Sequence, residues 1–100
     1  MSVESIKDSL RARLADFAGL KARVRFDMGA DGAVAIDARD GSPRLADANM
    51  EADCTIRVST ENMEKLMAGS LNPMLAYTLG KLKIDGSLGV AMKIAALLEE

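Results

Sequence analysis

The stretch that decides the reading of this chain is its last segment, GKLKIDGSLGVAMKIAALLEE, residues 80–100. Lys81-Leu82-Lys83-Ile84 alternates polar and apolar, the period of a strand with one buried face. Asp85-Gly86 is a turn signal, and Ser87 is placed to cap a helix. From Leu88 to Leu98 only Lys93 is charged. Val90, Ile94, Leu97 and Leu98 form one apolar stripe. Leu88, Met92 and Ala95 or Ala96 form another, on a different side. A helix lying on a sheet with its back to water needs one stripe. This helix therefore requires more than one apolar neighbour.

Working outward, Val3, Ile6, Leu10, Leu14 and Phe17 recur at helical spacing, which predicts one amphipathic helix capped by Ser2 and stopped at Gly19. Ala22, Val24, Phe26 and Met28 alternate with Arg23, Arg25 and Asp27, a half-buried strand whose arginines are expected on a solvated face. Asp31-Gly32 turns the chain into a second, antiparallel strand through Val34, Ile36 and Ala38. A short edge strand is expected around Arg44 to Ala48, and a clearer one over Cys54, Ile56 and Val58. Ser59 or Thr60 caps a helix carrying Met63, Leu66 and Met67 that ends near Gly69. Asn72-Pro73 opens another, closed by Gly80, with Asn72 as cap. The expected fold is α+β: a single domain over residues 1–100, with one five-stranded, mostly antiparallel sheet and helices packed on one face, in the order α-β-β-β-β-α-α-β-α.

Composition narrows the chemistry. One hundred residues make one domain, and 49% apolar content is enough for a core. Aromatics are only Phe17, Phe26 and Tyr77, whereas Met numbers 7, so the interior is aliphatic and thioether. A formal charge of −2 argues against a nucleic-acid surface. The lone Cys54 excludes an internal disulfide and suits a reducing compartment. The charged start MSVESIKDSLRARL does not read as a signal peptide, and no apolar run nears the ~18 residues of a membrane span, so a cytoplasmic protein is expected. With no histidine, a Ser-His-Asp or Cys-His arrangement and the usual zinc sites are excluded, and no metal or cofactor site is expected. GSLGVA lacks the further glycines and Lys-Ser/Thr of a phosphate loop. The chain reads as a non-enzyme, an accidental carboxylate pair being the one route to catalysis.

The surplus apolar surface of the last helix, and of the middle helices between Met63 and Leu79, has three possible covers. They are another helix of the same domain, a second chain, or an apolar ligand. Four blocks bear on the choice: Asp53-Cys54-Thr55-Ile56; Leu66-Met67-Ala68-Gly69-Ser70-Leu71-Asn72-Pro73; Ala76 to Gly86; and Gly89-Val90-Ala91-Met92-Lys93. In order and spacing they resemble the sterol carrier protein type two family, with its D-C-T-I strand, its L-x-x-G-x-L-N-P helix junction, an aromatic three residues before G-K-L-K-I, and its G-L-A-M-K helix. The likeness is close over the second half of the chain and extends to element order in the first.

The resemblance implies a hydrophobic tunnel between sheet and helices. Family members bind sterols, fatty acids, fatty acyl-CoA or other lipids, and some are thought to move lipids between membranes. It implies lipid contact by Phe26 and Ile36 from the sheet, by Leu66, Met67, Met74 and Leu75 from the middle helices, and by Val90, Ile94 and Leu97 from the last. Each of these has a second reading as plain core. Lys81, Lys83 and Lys93 are either a solvated face or contacts for a head group or anionic membrane. Two features depart from the family: Tyr77 stands where Phe is commoner, and the chain closes on Glu99-Glu100 rather than a peroxisomal tripeptide. Scarce aromatics favour a flexible acyl or prenyl chain over sterol rings. Burying ~15 methylenes yields on the order of 12 kcal/mol before ordering losses. An empty void of ~300 Å³ would cost roughly 7 kcal/mol, so the tunnel is expected to be occupied or collapsed. The competing reading is an interaction module whose last helix docks on a lipid-handling enzyme or on a second copy in a homodimer.

Overall fold

The computed structural model describes residues 3–98; the expected Ser2 cap and the Glu99-Glu100 end lie outside them. Five strands form one sheet in the order β3-β2-β1-β4-β5. They are β1 (Arg23–Asp27), β2 (Ala33–Asp37), β3 (Arg44–Ala46), β4 (Cys54–Val58) and β5 (Leu82–Gly86). Only β1 and β4 run parallel; the other neighbours are antiparallel. The helices are α1 (Val3–Ala12), α2 (Thr60–Ala68), α3 (Pro73–Thr78) and α4 (Leu88–Leu98). The α+β architecture and the strand count agree with the sequence reading.

Alternation along the strands sorts the two faces. Val24 and Phe26 of β1, Val34 and Ile36 of β2, and Cys54, Ile56 and Val58 of β4 join one buried cluster. Ile6 and Leu10 of α1, Met63 and Leu66 of α2, and Ile94 and Leu98 of α4 complete it from above. The expected caps are in place. The Ser59 hydroxyl accepts from Asn62 N–H at 3.1 Å, Asn72 Oδ1 from Met74 and Leu75 N–H at 2.9 and 3.1 Å, and the Ser87 hydroxyl from Val90 N–H at 3.2 Å.

Two expectations are corrected. The first helix does not run to Gly19: α1 stops at Ala12, and Leu14–Leu20 forms a 3-10 helix. The bonds tighten to three-residue spacing, Arg13 N–H to Leu10 O and Asp16 N–H to Arg13 O, each at 3.0 Å. At that point the Arg13 guanidinium donates to Leu97 O at 3.0 Å, at the C-terminal end of α4. Within these tightened turns Phe17 and Leu20 are both buried. Lys21, at φ 56, ends the segment in the left-handed region.

The second correction concerns Arg23 and Arg25, which are not a solvated face. They pin the loop between β3 and β4 across the outer side of β1. Arg25 donates to Ala48 O and Met50 O, both at 3.1 Å, and to the Thr55 hydroxyl at 3.0 Å. Arg23 donates to Glu51 O at 2.9 Å and pairs with Asp37 at 3.0 Å, with both side chains largely buried. Sequence alternation marks a residue as facing away from the core, but a covering loop is a tertiary event.

The same loop ends at the point that aims α4. Asp53 accepts Arg23 N–H on its carboxylate at 2.8 Å, and its carbonyl accepts Ser87 N–H at 2.9 Å. Gly86 passes close by at φ +96, where a Cβ would stand 2.6 Å from Asp53 O. No side chain fits there, and the backbone conformation itself favours glycine. Gly86→Ala is expected to lower unfolding free energy by about 1–3 kcal/mol, read from urea melts.

The outer-face carboxylates also set the acid limb of stability. Asp37 is held below its ordinary value first by the Arg39 N–H and then by Arg23; Asp53 is held low first by the Arg23 N–H, with Arg39 assisting against burial. Lowered carboxyls stabilise the fold fully above the ordinary carboxylate range, and that stabilisation is lost as pH falls through the lowered values. Stability is therefore expected to be flat from neutrality to about pH 5 and to fall below about pH 4. Asp37→Ala should cost about 1–2 kcal/mol at pH 7, a deficit that shrinks toward acid in urea melts taken across pH.

Candidate functional site

Between the inner face of the sheet and the last two helices lies a hollow walled almost wholly by hydrocarbon. Its floor is Phe26, Ile56, Leu82 and Ile84, one or two from each of three adjacent strands. Leu66 of α2 closes one end, and Pro73, Met74 and Tyr77 of α3 form a side. The opposite wall is α4, through Leu88, Met92, Ile94, Ala95 and Leu98. Among the described residues, Tyr77 is the one wall residue whose side chain carries a polar group. The wider surface depressions elsewhere are shallow and mixed in polarity, for example the one edged by Asp31, Thr60, Glu61 and Lys65.

Local structure explains the wall. The turn at Asp85-Gly86 and the Ser87 cap start α4 directly above the floor. Ala91, Ile94 and Leu98 then face the core, while Leu88, Met92 and Ala95 lie one step round the helix toward α3. On α3, Asn72 and Pro73 fix the first turn so that Ala76 is buried and Met74 and Tyr77 lean over the hollow. Leu82 and Ile84 point inward along β5, with Lys81 and Lys83 exposed.

The hollow is closed down. The cavity itself is about 30 Å³, and about 420 Å³ only when open solvent at its mouth is counted. The smaller figure is room for about one water, too little for any lipid. Such closure avoids the cost of a large dry void. The side chains at the mouth, Met74, Tyr77, Leu88 and Met92, are exposed, whereas the floor is buried or half-buried. Opening thus asks for rotamer changes in unbranched and surface side chains rather than for unfolding.

Of the residues singled out from the sequence, Phe26, Leu66, Met74 and Ile94 line this hollow. Ile36 is fully buried one strand further out, paired with Val24. Met67 is half-buried and edges a recess beside α1. Leu75 points to solvent. Val90 and Leu97 pack against the core on the side of α4 away from the hollow. The wall residues not singled out include Ile56, Tyr77, Leu88 and Met92. The signal for two of them was present: Leu88, Met92 and Ala95 are the second stripe of α4, and it is this stripe, not Val90 and Leu97, that faces the hollow.

Cys54 lies in the core with its thiol pushed up by burial and, secondarily, by the Asp85 and Asp53 carboxylates. It is a small hydrophobe here and not a nucleophile. No helix among the described residues is long and apolar enough to cross a membrane.

A mixed five-stranded sheet with helices over one face and an apolar hollow beneath the last helix defines a small α+β domain built around a hydrocarbon-lined recess. The sequence profile of the SCP-2 sterol transfer family matches residues 3–99, and the chain belongs to that family. Sterol carrier protein 2 of Rattus norvegicus is 41% identical over 63 residues, 62% of this chain and 12% of that protein. The chain thus spans a small fraction of that larger relative. The solution structure of sterol carrier protein domain 2 of Helicoverpa armigera superposes with a TM-score of 0.71 at 28% identity, covering 95% of this chain and 83% of that one. The palmitated form of a sterol carrier protein 2-like protein from Aedes aegypti gives a TM-score of 0.75 at 23% identity, over 100% and 96% of the two chains.

Core and mouth are separable by mutation. Ile94→Ala should cost about 2–4 kcal/mol, because it opens a cavity in the buried cluster. Met92→Ala, at a half-exposed mouth position, should cost under about 1 kcal/mol. Denaturant midpoints of the two variants check the contrast.

Proposed function

We propose that the protein binds a lipid by taking an extended acyl or prenyl chain into the hollow under α4, without covalent chemistry. The observation that carries this reading is the composition of the wall: strands, α2, α3 and α4 converge on one recess and present hydrocarbon from every side. Among the described residues no carboxylate, amine or thiol lines it, which supports binding rather than covalent chemistry. Membership of a sterol transfer family supports the ligand class, and the fold it shares with a palmitated protein is consistent with a fatty-chain ligand.

Shape favours a chain over a fused ring system. The closed hollow widens by small displacements of Met74, Leu88 and Met92, which a linear hydrocarbon follows methylene by methylene. A rigid sterol needs a slot of fixed width and flat walls, and the aromatic rings on the wall are only Phe26 and Tyr77. With a dry interior, the polar head remains at the mouth, near the Tyr77 hydroxyl. Whether the chain is then stored or passed on, a carrier role requires the head to stay accessible.

The test is a melting experiment with extraction. Organic extracts of the natively purified protein should contain a long-chain lipid in near-stoichiometric amount. Palmitate added to stripped protein should raise Tm in a concentration-dependent way, by binding the native state alone. Ala95→Phe, which places a ring in the recess, should keep the fold yet reduce that rise by more than about tenfold in apparent affinity. Identical Tm with and without palmitate, in a protein shown to be free of lipid, would sink the reading.

A further inference from the structure

Apart from Met50 in the loop between β3 and β4, the exposed large apolar side chains among the described residues are not scattered. Met74, Leu75, Tyr77, Leu79, Leu88 and Met92 all belong to α3, its C-terminal end and α4. Leu79 is 58% exposed and Leu88 is 55% exposed. Met74, Tyr77, Leu88 and Met92 also line the hollow, so the patch is the outer continuation of the pocket wall. Single exposed apolar residues need no explanation, but a contiguous group around an opening marks a contact surface.

Charge indicates what the surface meets. The chain carries a net −2, yet between residues 66 and 98 the charged residues are Lys81, Lys83, Lys93 and Asp85. Asp85 is turned away from the patch, ion-paired with Arg57 at 2.6 Å across β4 and β5. Lys83 shares that outer side, opposite Arg57 in the register. Lys81, two residues beyond Leu79, and Lys93, next to Met92, are exposed and form no ion pair among the described residues. The mouth therefore presents apolar side chains and a tyrosine with a polar tip, with exposed lysines nearby; among the described residues no carboxylate lines it, and Asp27 shares a separate recess with Lys81. That combination suits the boundary between head groups and acyl chains of an anionic bilayer. A second copy of the same face would oppose lysine to lysine across a two-fold interface.

We infer that the rim formed by Met74, Tyr77, Leu79, Leu88 and Met92, flanked by Lys81 and Lys93, is a docking surface for anionic membranes, placing the mouth of the hollow against the lipid. The inference rests on the hollow being the lipid site. A chain leaving the bilayer through such a contact passes from hydrocarbon to hydrocarbon without crossing water. Unbranched Met74 and Met92 at the mouth adapt to the passing chain.

Vesicle sedimentation tests this with the whole protein. Vesicles of phosphatidylcholine with about a quarter phosphatidylglycerol should pull the protein down, and pure phosphatidylcholine should do so several-fold less well. Lys81→Gln and Lys93→Gln should each weaken the anionic partition by about fivefold, an effect that vanishes at high salt. Leu79→Ser should weaken it on both vesicle types while leaving the palmitate-induced rise in Tm unchanged, since Leu79 is not part of the pocket wall. A wild-type protein that takes up palmitate yet stays in the supernatant overturns the docking surface alone. So does a dimer in lipid-free buffer that Leu79→Ser dissociates, because a second copy then covers the face. A wild type that shows no palmitate response but still sediments overturns the pocket reading instead, and with it the portal role of the rim.

Discussion

Ser87 N–H meets the Asp53 carbonyl at 2.9 Å over a glycine that leaves no room for a side chain. This contact joins the end of β5 to the start of β4 and sets the direction in which α4 leaves the sheet. If α4 lay flat on the strands, its second stripe would be either wet or crushed against the core. Leaving as it does, α4 rests on the core through Ala91, Ile94 and Leu98 and holds Leu88, Met92 and Ala95 over Phe26, Ile56 and Ile84. The far end is held as well, by the Arg13 guanidinium on Leu97 O. The pocket is thus the space under a rod fixed at both ends.

The two sides of the sheet divide the work of folding and binding. On the inner side, stabilisation comes from hydrocarbon burial, which tolerates rearrangement because it has no preferred direction. On the outer side, Arg23, Arg25, Asp37 and Asp53 form directional bonds that pin the loop between β3 and β4 and hold the strands in register. The hollow lies on the adaptable side and is backed by the rigid one. Among the described residues no buried side-chain nitrogen or oxygen lacks a partner, so the polar side keeps its strength whether the hollow is open or shut.

Closure of the hollow follows from the size of the domain. A protein of 100 residues has a few kcal/mol to spare, and a dry void large enough for a fatty chain would consume it. Methionine and exposed leucine at the mouth let the empty state fold inward while the floor of Phe26, Ile56 and Leu82 stays in place. The surface left by that solution is apolar outside as well as inside, because Met74, Tyr77, Leu88 and Met92 both line the hollow and are exposed.

Much of this was legible in the residue order. Alternation in 22–28, 34–38, 54–58 and 81–85 marked four strands, Ser59, Asn72-Pro73 and Ser87 marked three helix starts, and two stripes on 88–98 marked a helix with two apolar neighbours. The four blocks resembling the sterol carrier family pointed to the lipid class. These are local signals: periodicity, caps and turns act within a few residues, so the chain states them directly. What the tertiary structure decided is which stripe faces what. Val90 and Leu97 look as apolar as Leu88 and Met92, and only the angle set at Gly86 turns the latter pair to the hollow. The shift from α-helix to 3-10 helix falls at Arg13, whose side chain meets Leu97 O, 84 residues away. Arg23 and Arg25 became staples because a loop folded over them. Contacts of that range depend on how elements meet in space, and no short window of sequence contains that geometry.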